Sequence, residues 1–158
     1  MITTREILST GVTLEELKQH LRITNTIFDS DLEQKLRAAH LVAEHYIGQT
    51  LMPSRVVEVM EAATQLSLAA PVASIISVKL NGEAIPYSLT GNVVSIAQTA
   101  KGPVEVTYLS GHDAVAYDIK VAILLIAADL FENPVDRVEQ LPRASQMLLR
   151  PYRSYGTR

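Results

Sequence analysis

Cysteine and tryptophan are absent from the 158 residues, and phenylalanine occurs only twice. Without cysteine the chain can form no disulfide and no thiolate-bound zinc or iron–sulfur centre, a composition that suits a reducing compartment. Nowhere is there a run of about 20 apolar residues, the length a helix needs to cross a bilayer. The opening stretch MITTREILSTG has no basic region followed by an apolar run, so no secretory signal is expected in it. Phosphate-cradling glycine patterns are missing, since TGN and LNG read as simple turns. DSDLE offers carboxylates but lacks the glycine and the twelve-residue spacing of a calcium loop. No cofactor, metal or membrane partner is expected on these grounds.

A chain of this length suffices for one domain, expected over 1–158, and needs no covalent staple to fold. The net charge of −3 is unevenly spread. Residues 1–136 hold sixteen acids against nine bases, giving −7. Residues 137–158 hold five arginines (Arg137, Arg143, Arg150, Arg153 and Arg158) against Glu139, giving +4. Such asymmetry fits contact with a partner of opposite sign, and it also fits a solvated tail.

Local patterns predict helices, then strands, then helices. In VTLEELKQHLRI, Thr13 and Glu16 have capping-box spacing, and Leu14, Leu17 and Leu21 share a face, predicting a helix over about 13–22. A second helix is expected over about 30–47, with Ser30 and Glu33 as its capping box and Gly48 ending it in a left-handed conformation. Strands are expected over about 54–109. Asn81-Gly82 marks a hairpin, and Val104, Val106 and Tyr108 alternate with Glu105 and Thr107. Helices over about 117–132 and 143–150 follow, the first stopped by the ENP sequence, with a short basic tail at 151–158. The fold class expected is α+β: a helical core from both ends of the chain around a central antiparallel hairpin or meander region.

Candidate chemistry is sparse. His40 and Glu44 share a helix face at i, i+4, but His45 lies about 140° away from His40, so HLVAEH cannot converge on a metal as HExxH does. These are expected to be ordinary surface or boundary residues. His112 and Asp113 follow a strand end and could act as an acid–base pair, with Tyr117 nearby. No nucleophile motif accompanies them, and capping polar residues in a turn explain them as well. The acidic body carries no basic stripe interleaved with aromatics, which argues against sequence-specific DNA reading. No catalytic residue is assigned.

Most distinctive is KVAILLIAAD, eight apolar residues between two charges. On a helical wheel Ile119, Ile123, Ile126 and Leu130 form one face, widened by Ala127, Leu124 and Phe131. Asp118, Asp129 and Glu132 lie opposite, with Ala122 and Leu125 between them. A helix apolar nearly all round must be buried on most sides. A chain of this size can hardly wrap it completely, so a neighbouring subunit is expected to cover part of it, with Leu125 in or near the contact.

Taken together, VTLEELKQHLRI, DSDLEQKLRAAHLVAEHYIGQTL, GPVEVTYLSGH, IKVAILLIAADLFENP and LLRPYR, in this order and approximate spacing, resemble the head–tail connector (adaptor) proteins of tailed bacteriophages and prophages, also called DNA-packaging proteins. The resemblance covers nearly the whole chain. It implies a non-catalytic virion structural protein that assembles in the host cytoplasm. About a dozen copies would form a ring beneath the portal, extend the channel for double-stranded DNA without reading its sequence, and dock a tail or stopper protein. It also implies that an isolated subunit can remain monomeric until a partner arrives. The segment Ile119–Phe131 would serve core and ring contacts, and Leu148–Arg153 would lead into an arm towards the portal. Leu125, Asp118, Asp129, Arg150, Tyr152 and Arg153 are the expected interface residues, towards a sibling or the portal. Two features depart from the pattern: SYGTR after Arg153 is short for a deeply inserted arm, and NTIFDS is less acidic than usual. A tail-completion or other neck protein is one alternative. The others are a small enzyme at His112 and Asp113 and a DNA-binding regulator using the arginine-rich tail.

Overall fold

The computed structural model describes residues 2–9, 11–61, 64–69, 71–97, 101–112, 114–133 and 141–154. Along the chain run β1 (Ile2–Ile7), α1 (Leu14–Leu21), α2 (Asp29–Ile47), β2 (Ser54–Glu61), β3 (Gln65–Ser67), β4 (Val72–Leu80), β5 (Glu83–Ala84), β6 (Tyr87–Thr90), β7 (Val93–Ile96), β8 (Pro103–Ser110), α3 (Tyr117–Glu132) and α4 (Arg143–Leu149), then a 3-10 turn at Arg150–Tyr152. The fold is α+β, with antiparallel pairing throughout the described strands. Contacts gather these elements into two compact units. One is a β unit of Met1–Ser9 and Met52–Asp113; the other is a helical unit of Thr10–Leu51 and Ala114–Arg158.

In the β unit a five-stranded sheet has the order β1-β2-β8-β4-β5 and a three-stranded sheet the order β3-β7-β6. β8 alternates as expected, burying Val104, Val106 and Tyr108 while Glu105 and Thr107 stay partly exposed. Asn81 and Gly82 both take positive φ (51° and 88°), closing the two-residue turn between β4 and β5. At Gly111, with φ of 103°, an added Cβ would collide with the Met52 carbonyl, so only glycine fits. β1 was not foreseen. ITTREI has neither alternation nor strong hydrophobicity, and its residues are largely exposed at the sheet edge. The backbone ladder to β2 holds it, from Ile2↔Val59 to Ile7↔Ser54, aided by Arg5 Nε donating to Ser54 Oγ at 2.9 Å.

One charged group lies deep in this unit. Glu58 is 3 % exposed, and its Oε1 accepts the Tyr108 hydroxyl at 2.6 Å. The same phenol oxygen accepts the Ala69 backbone N–H at 3.2 Å. Burial, then the Glu58 carboxylate, push the Tyr108 hydroxyl far above its ordinary pKa, so it remains a donor. A buried carboxylate persists only where such partners replace water.

The helical unit starts with the expected capping box. Thr13 Oγ1 accepts the Glu16 N–H at 3.2 Å, and Glu16 Oε2 accepts the Thr13 N–H at 2.8 Å. The capping box expected at Ser30 and Glu33 does not form. α2 begins one residue earlier, at Asp29, with Phe28 at the N-cap and no side-chain cap. Tertiary packing sets this start: the Phe28 ring packs edge-on to Phe131 at 5.5 Å, and Asp29 pairs with Lys18 at 2.8 Å. Gly48 ends α2 at φ 72°, its N–H bonded to the Glu44 carbonyl. α3 ends at Glu132 with Asn133 as C-cap; Pro134 lies outside the described residues. The core is made by α1, α2, α3 and α4, with Leu17, Leu32, Leu36, Ile47, Ile123 and Leu149 among its buried side chains.

Tyr108→Phe should leave Glu58 buried without its donor and cost about 1.5–3 kcal/mol, the range for hydrogen bonds to charged groups. Urea unfolding of the two proteins at neutral pH, compared at equal slope, checks this.

Candidate interaction surface of the helical unit

The histidines are the metal and acid–base candidates that the sequence offers. His40 is not the surface or boundary residue expected: it is fully buried. Its two ring nitrogens are both satisfied, since Nδ1–H donates to the Leu36 carbonyl at 2.8 Å and Nε2 accepts the Val12 N–H at 3.3 Å. That pattern requires the neutral ring and fastens the segment before α1 onto α2. Glu44 is buried as well, and its Oε1 accepts the Leu51 N–H at 2.8 Å beyond the helix end. Both side chains therefore act as struts. Among the described residues no group of three or more His, Cys, Asp or Glu is placed to hold a metal. His112 is exposed, and Asp113 lies outside the described residues.

α3 packs against α1, α2 and α4. Ile119, Ile123 and Ile126 are buried as the wheel predicts, but so is Ala122, which had been placed on the outer side. The reason is α4, which lies over that position; Ser145 Oγ donates to the Ala122 carbonyl at 3.3 Å. What stays uncovered is Tyr117, 87 % exposed, then Val121, 44 % exposed, with half-buried Leu125 next. These stand at i, i+4 and i+8, one stripe along the helix. The spacing was readable, but only Leu125 was picked out.

At the start of α3 two expected interface residues meet. The Tyr152 hydroxyl donates to Asp118 Oδ2 at 2.7 Å, while Asp118 Oδ1 accepts the Ile119 N–H at 3.0 Å. The Asp118 bond raises the Tyr152 hydroxyl above the usual tyrosine range. Nearby, the Ser154 N–H bonds the Ile47 carbonyl at 2.7 Å, and Gln49 Nε2 donates to the Tyr152 carbonyl at 3.4 Å. These bonds bring the chain's end to the C-terminus of α2. Arg153 consequently lies over the Tyr46 ring, 5.4 Å from its centroid. Arg150 and Arg153 share a groove with Arg143, Tyr46, Gln146 and Met147. Arg143 belongs to the basic tail that the charge count marks, whereas Tyr46, Gln146 and Met147 carry no sequence signal for this groove, because nothing local shows that α4 and α2 adjoin.

Asp129 belongs elsewhere. It is exposed at the far end of α3, where Oδ1 accepts the Asn133 side-chain amide at 3.0 Å. The six expected interface residues thus fall into three places: Leu125 in mid-helix, Asp129 at one end, and Asp118, Arg150, Tyr152 and Arg153 at the other.

An α+β chain with an uncovered apolar stripe, charged ends and no converging reaction centre among its described residues has the character of an assembly subunit. The family model for phage gp6-like head–tail connector proteins matches residues 12–153, and the chain belongs to that family. It is a structural protein of the virion, a head–tail connector. Three solved structures share its fold. The neck of an empty GTA particle computed with C6 symmetry gives a TM-score of 0.79 at 18 % identity, covering 98 % of this chain and 97 % of that one. The neck of a native GTA particle computed with C12 symmetry gives 0.76 at 18 % identity over 98 % and 97 %. The virion of a native gene transfer agent particle gives 0.76 at 19 % identity over 97 % and 96 %. No curated protein sequence matches the chain.

Burial holds the His40 imidazole below the usual histidine range, against the opposing pull of the Leu36 carbonyl and the Glu44 carboxylate. As pH falls the unfolded chain binds this proton first. The stability it contributes is therefore complete above about pH 6.5 and is lost as pH drops from there through the lowered folded value. Denaturant midpoints measured from pH 8 down to pH 5 should fall, with a His40 share no steeper than about 1.4 kcal/mol per pH unit. His40→Gln, which has no proton to gain in this range, should remove that share.

Proposed function

We propose that this connector works as one subunit of a closed ring in the neck, about a dozen copies by family resemblance, set between the portal and a tail or stopper protein. The observation that carries the reading is the stripe Tyr117–Val121–Leu125. Tyr117 and Val121 are the large apolar side chains of the most apolar helix that the protomer leaves exposed, and Leu125, one turn on, is partly buried. A stripe of this kind marks a surface covered by another chain. The C6 and C12 symmetries of the similar necks support a ring. Portal contact would fall to the arm into which Leu148–Arg153 leads, as the family resemblance implies.

The role needs no catalysis. His112, at the centre of the small-enzyme alternative, is exposed. The protein would travel from the host cytoplasm into the virion. Double-stranded DNA would pass through the ring without being read, since an acidic body repels phosphate and a basic lumen would hold it at a salt-dependent cost.

Leu125→Glu and Val121→Glu should retain the helical circular dichroism of the parent and lose assembly. Particles in which only the variant is supplied should lack joined tails, whereas intact, normally tailed particles would refute the stripe as a contact. Assembled rings should also bind duplex DNA weakly near physiological salt. Tight retention that collapses as salt is raised would contradict the sliding channel.

A further inference from the structure

The helical unit carries opposite charge at its two ends, and each end leaves a large apolar side chain uncovered. At one end Arg143, Arg150 and Arg153 line a groove of about 490 Å³ with Tyr46, Gln146 and Met147. Met147 is 77 % exposed there. Among the described residues no carboxylate pairs with Arg143 or Arg150. The opposite end lies along α2, whose 19 residues span about 28 Å. There the Phe28–Phe131 contact joins the start of α2 to the end of α3. Glu33, Asp129 and Glu132 stand exposed at this end, beside Ile27, which is 80 % exposed. Lys18 pairs with Asp29 and Lys35 with Asp31, which leaves Glu33, Asp129 and Glu132 against the exposed Arg22 at the end of α1, so the acidic sign persists.

Resting on the ring reading above, we infer that the arginine groove of one copy receives the acidic end of the next, Glu33, Asp129 and Glu132 meeting the guanidinium groups while Ile27 packs on Met147 and Tyr46. Three arguments converge. A ring closes through two different surfaces on each subunit, and these two ends are different and complementary. Planar guanidinium forks match carboxylates in two-pronged geometry, so arginine suits this pairing better than lysine. A duplex backbone would need cations spread along a track, whereas these three arginines surround one groove beside a thioether and a phenol ring. That lining fits a carboxylate accompanied by an alkyl side chain.

The absence of cysteine makes the test direct. Ile27→Cys and Met147→Cys are made separately in the full chain and treated with a short bis-maleimide, both in concentrated solution and in assembled neck particles. Mixed proteins should give a cross-linked dimer that neither gives alone, and the double variant should give a ladder of species up to the closed ring. Adding Arg150→Glu to the Met147→Cys protein should cut the yield about tenfold, because like charges then face each other. Adding Glu33→Arg to the Ile27→Cys protein should restore it. Annuli or tailed particles without the mixed cross-link would overturn this contact and leave the ring standing. Failure of any annulus or joined particle to form would instead remove the ring reading, and the contact with it. If Arg150→Glu leaves cross-linking intact but abolishes retention of duplex DNA, the groove is a phosphate site and the inference is wrong.

Discussion

Covering α3 is the constraint around which the helical unit is arranged. Eight consecutive apolar residues on a helix present hydrocarbon in every direction, and each large side chain removed from water contributes about 1.5–3 kcal/mol. α1, α2 and α4 each take one part of that surface. Polar contacts then fix where the covering elements stop. Lys120 reaches Glu16 of α1 at 3.5 Å, Ser145 of α4 caps the Ala122 carbonyl, and Tyr152 ties the chain's end to Asp118. With three helices as cover, a fourth side stays open, and Tyr117 and Val121 lie on it. The uncovered stripe is thus a consequence of how few elements are available. On the ring reading proposed above, the next chain would supply the missing cover.

The β unit solves a different problem. Its strands need not be continuously apolar, because alternation sends every second side chain to the core. Its internal charged group is handled by one compact arrangement, Glu58 with the Tyr108 hydroxyl and the Ala69 N–H above it. The edge strand β1 exposes Ile2 and Ile7 but also carries Arg5 and Glu6, with Glu6 near Arg55 at 3.6 Å, and charges on an edge discourage indiscriminate strand pairing. Stability here comes from pairing register and one satisfied charge, and in the helical unit from hydrocarbon burial. The two units would therefore respond differently to pH and to core substitutions.

Much of this was legible wherever the physics is local. The Thr13–Glu16 box, the left-handed Gly48, the Asn81-Gly82 turn and the alternation of β8 each depend on residues within a few positions, and each is found where the sequence places it. Reading failed where a distant segment decides. Ser30 lost its capping role because Phe28 docks on Phe131. Ala122 turned inward because α4 crosses it. His40 is buried because Val12, 28 residues away, supplies its second hydrogen bond. β1 went unseen because a strand held mainly by its backbone ladder leaves little trace in side-chain pattern. For the interaction surface, the charge count announced a basic tail and the wheel announced Leu125. Neither could say that Tyr46 would carry Arg153, since that follows from the Ser154–Ile47 and Gln49–Tyr152 bonds.

Why should a connector keep its charges at the ends of a bundle and its oil along one side? An apolar contact alone has no direction: it holds two copies together in many poses and works as well before the particle is ready as after. Charges of opposite sign at opposite ends select head-to-tail approach and disfavour like ends meeting, so growth proceeds with one rotation per step and can close. The same charges are screened within about 8–10 Å at physiological salt, so they orient a neighbour only at close range. A short stripe led by Tyr117 and Val121 is too small by itself to force association of dilute copies, since stable interfaces bury on the order of 1,200 Å² or more. Association would then become favourable once a template in the particle raises the local concentration of subunits and adds its own contacts. On the ring reading proposed above, direction supplied by charge and strength supplied by shared hydrocarbon would together favour ordered closure over indiscriminate association.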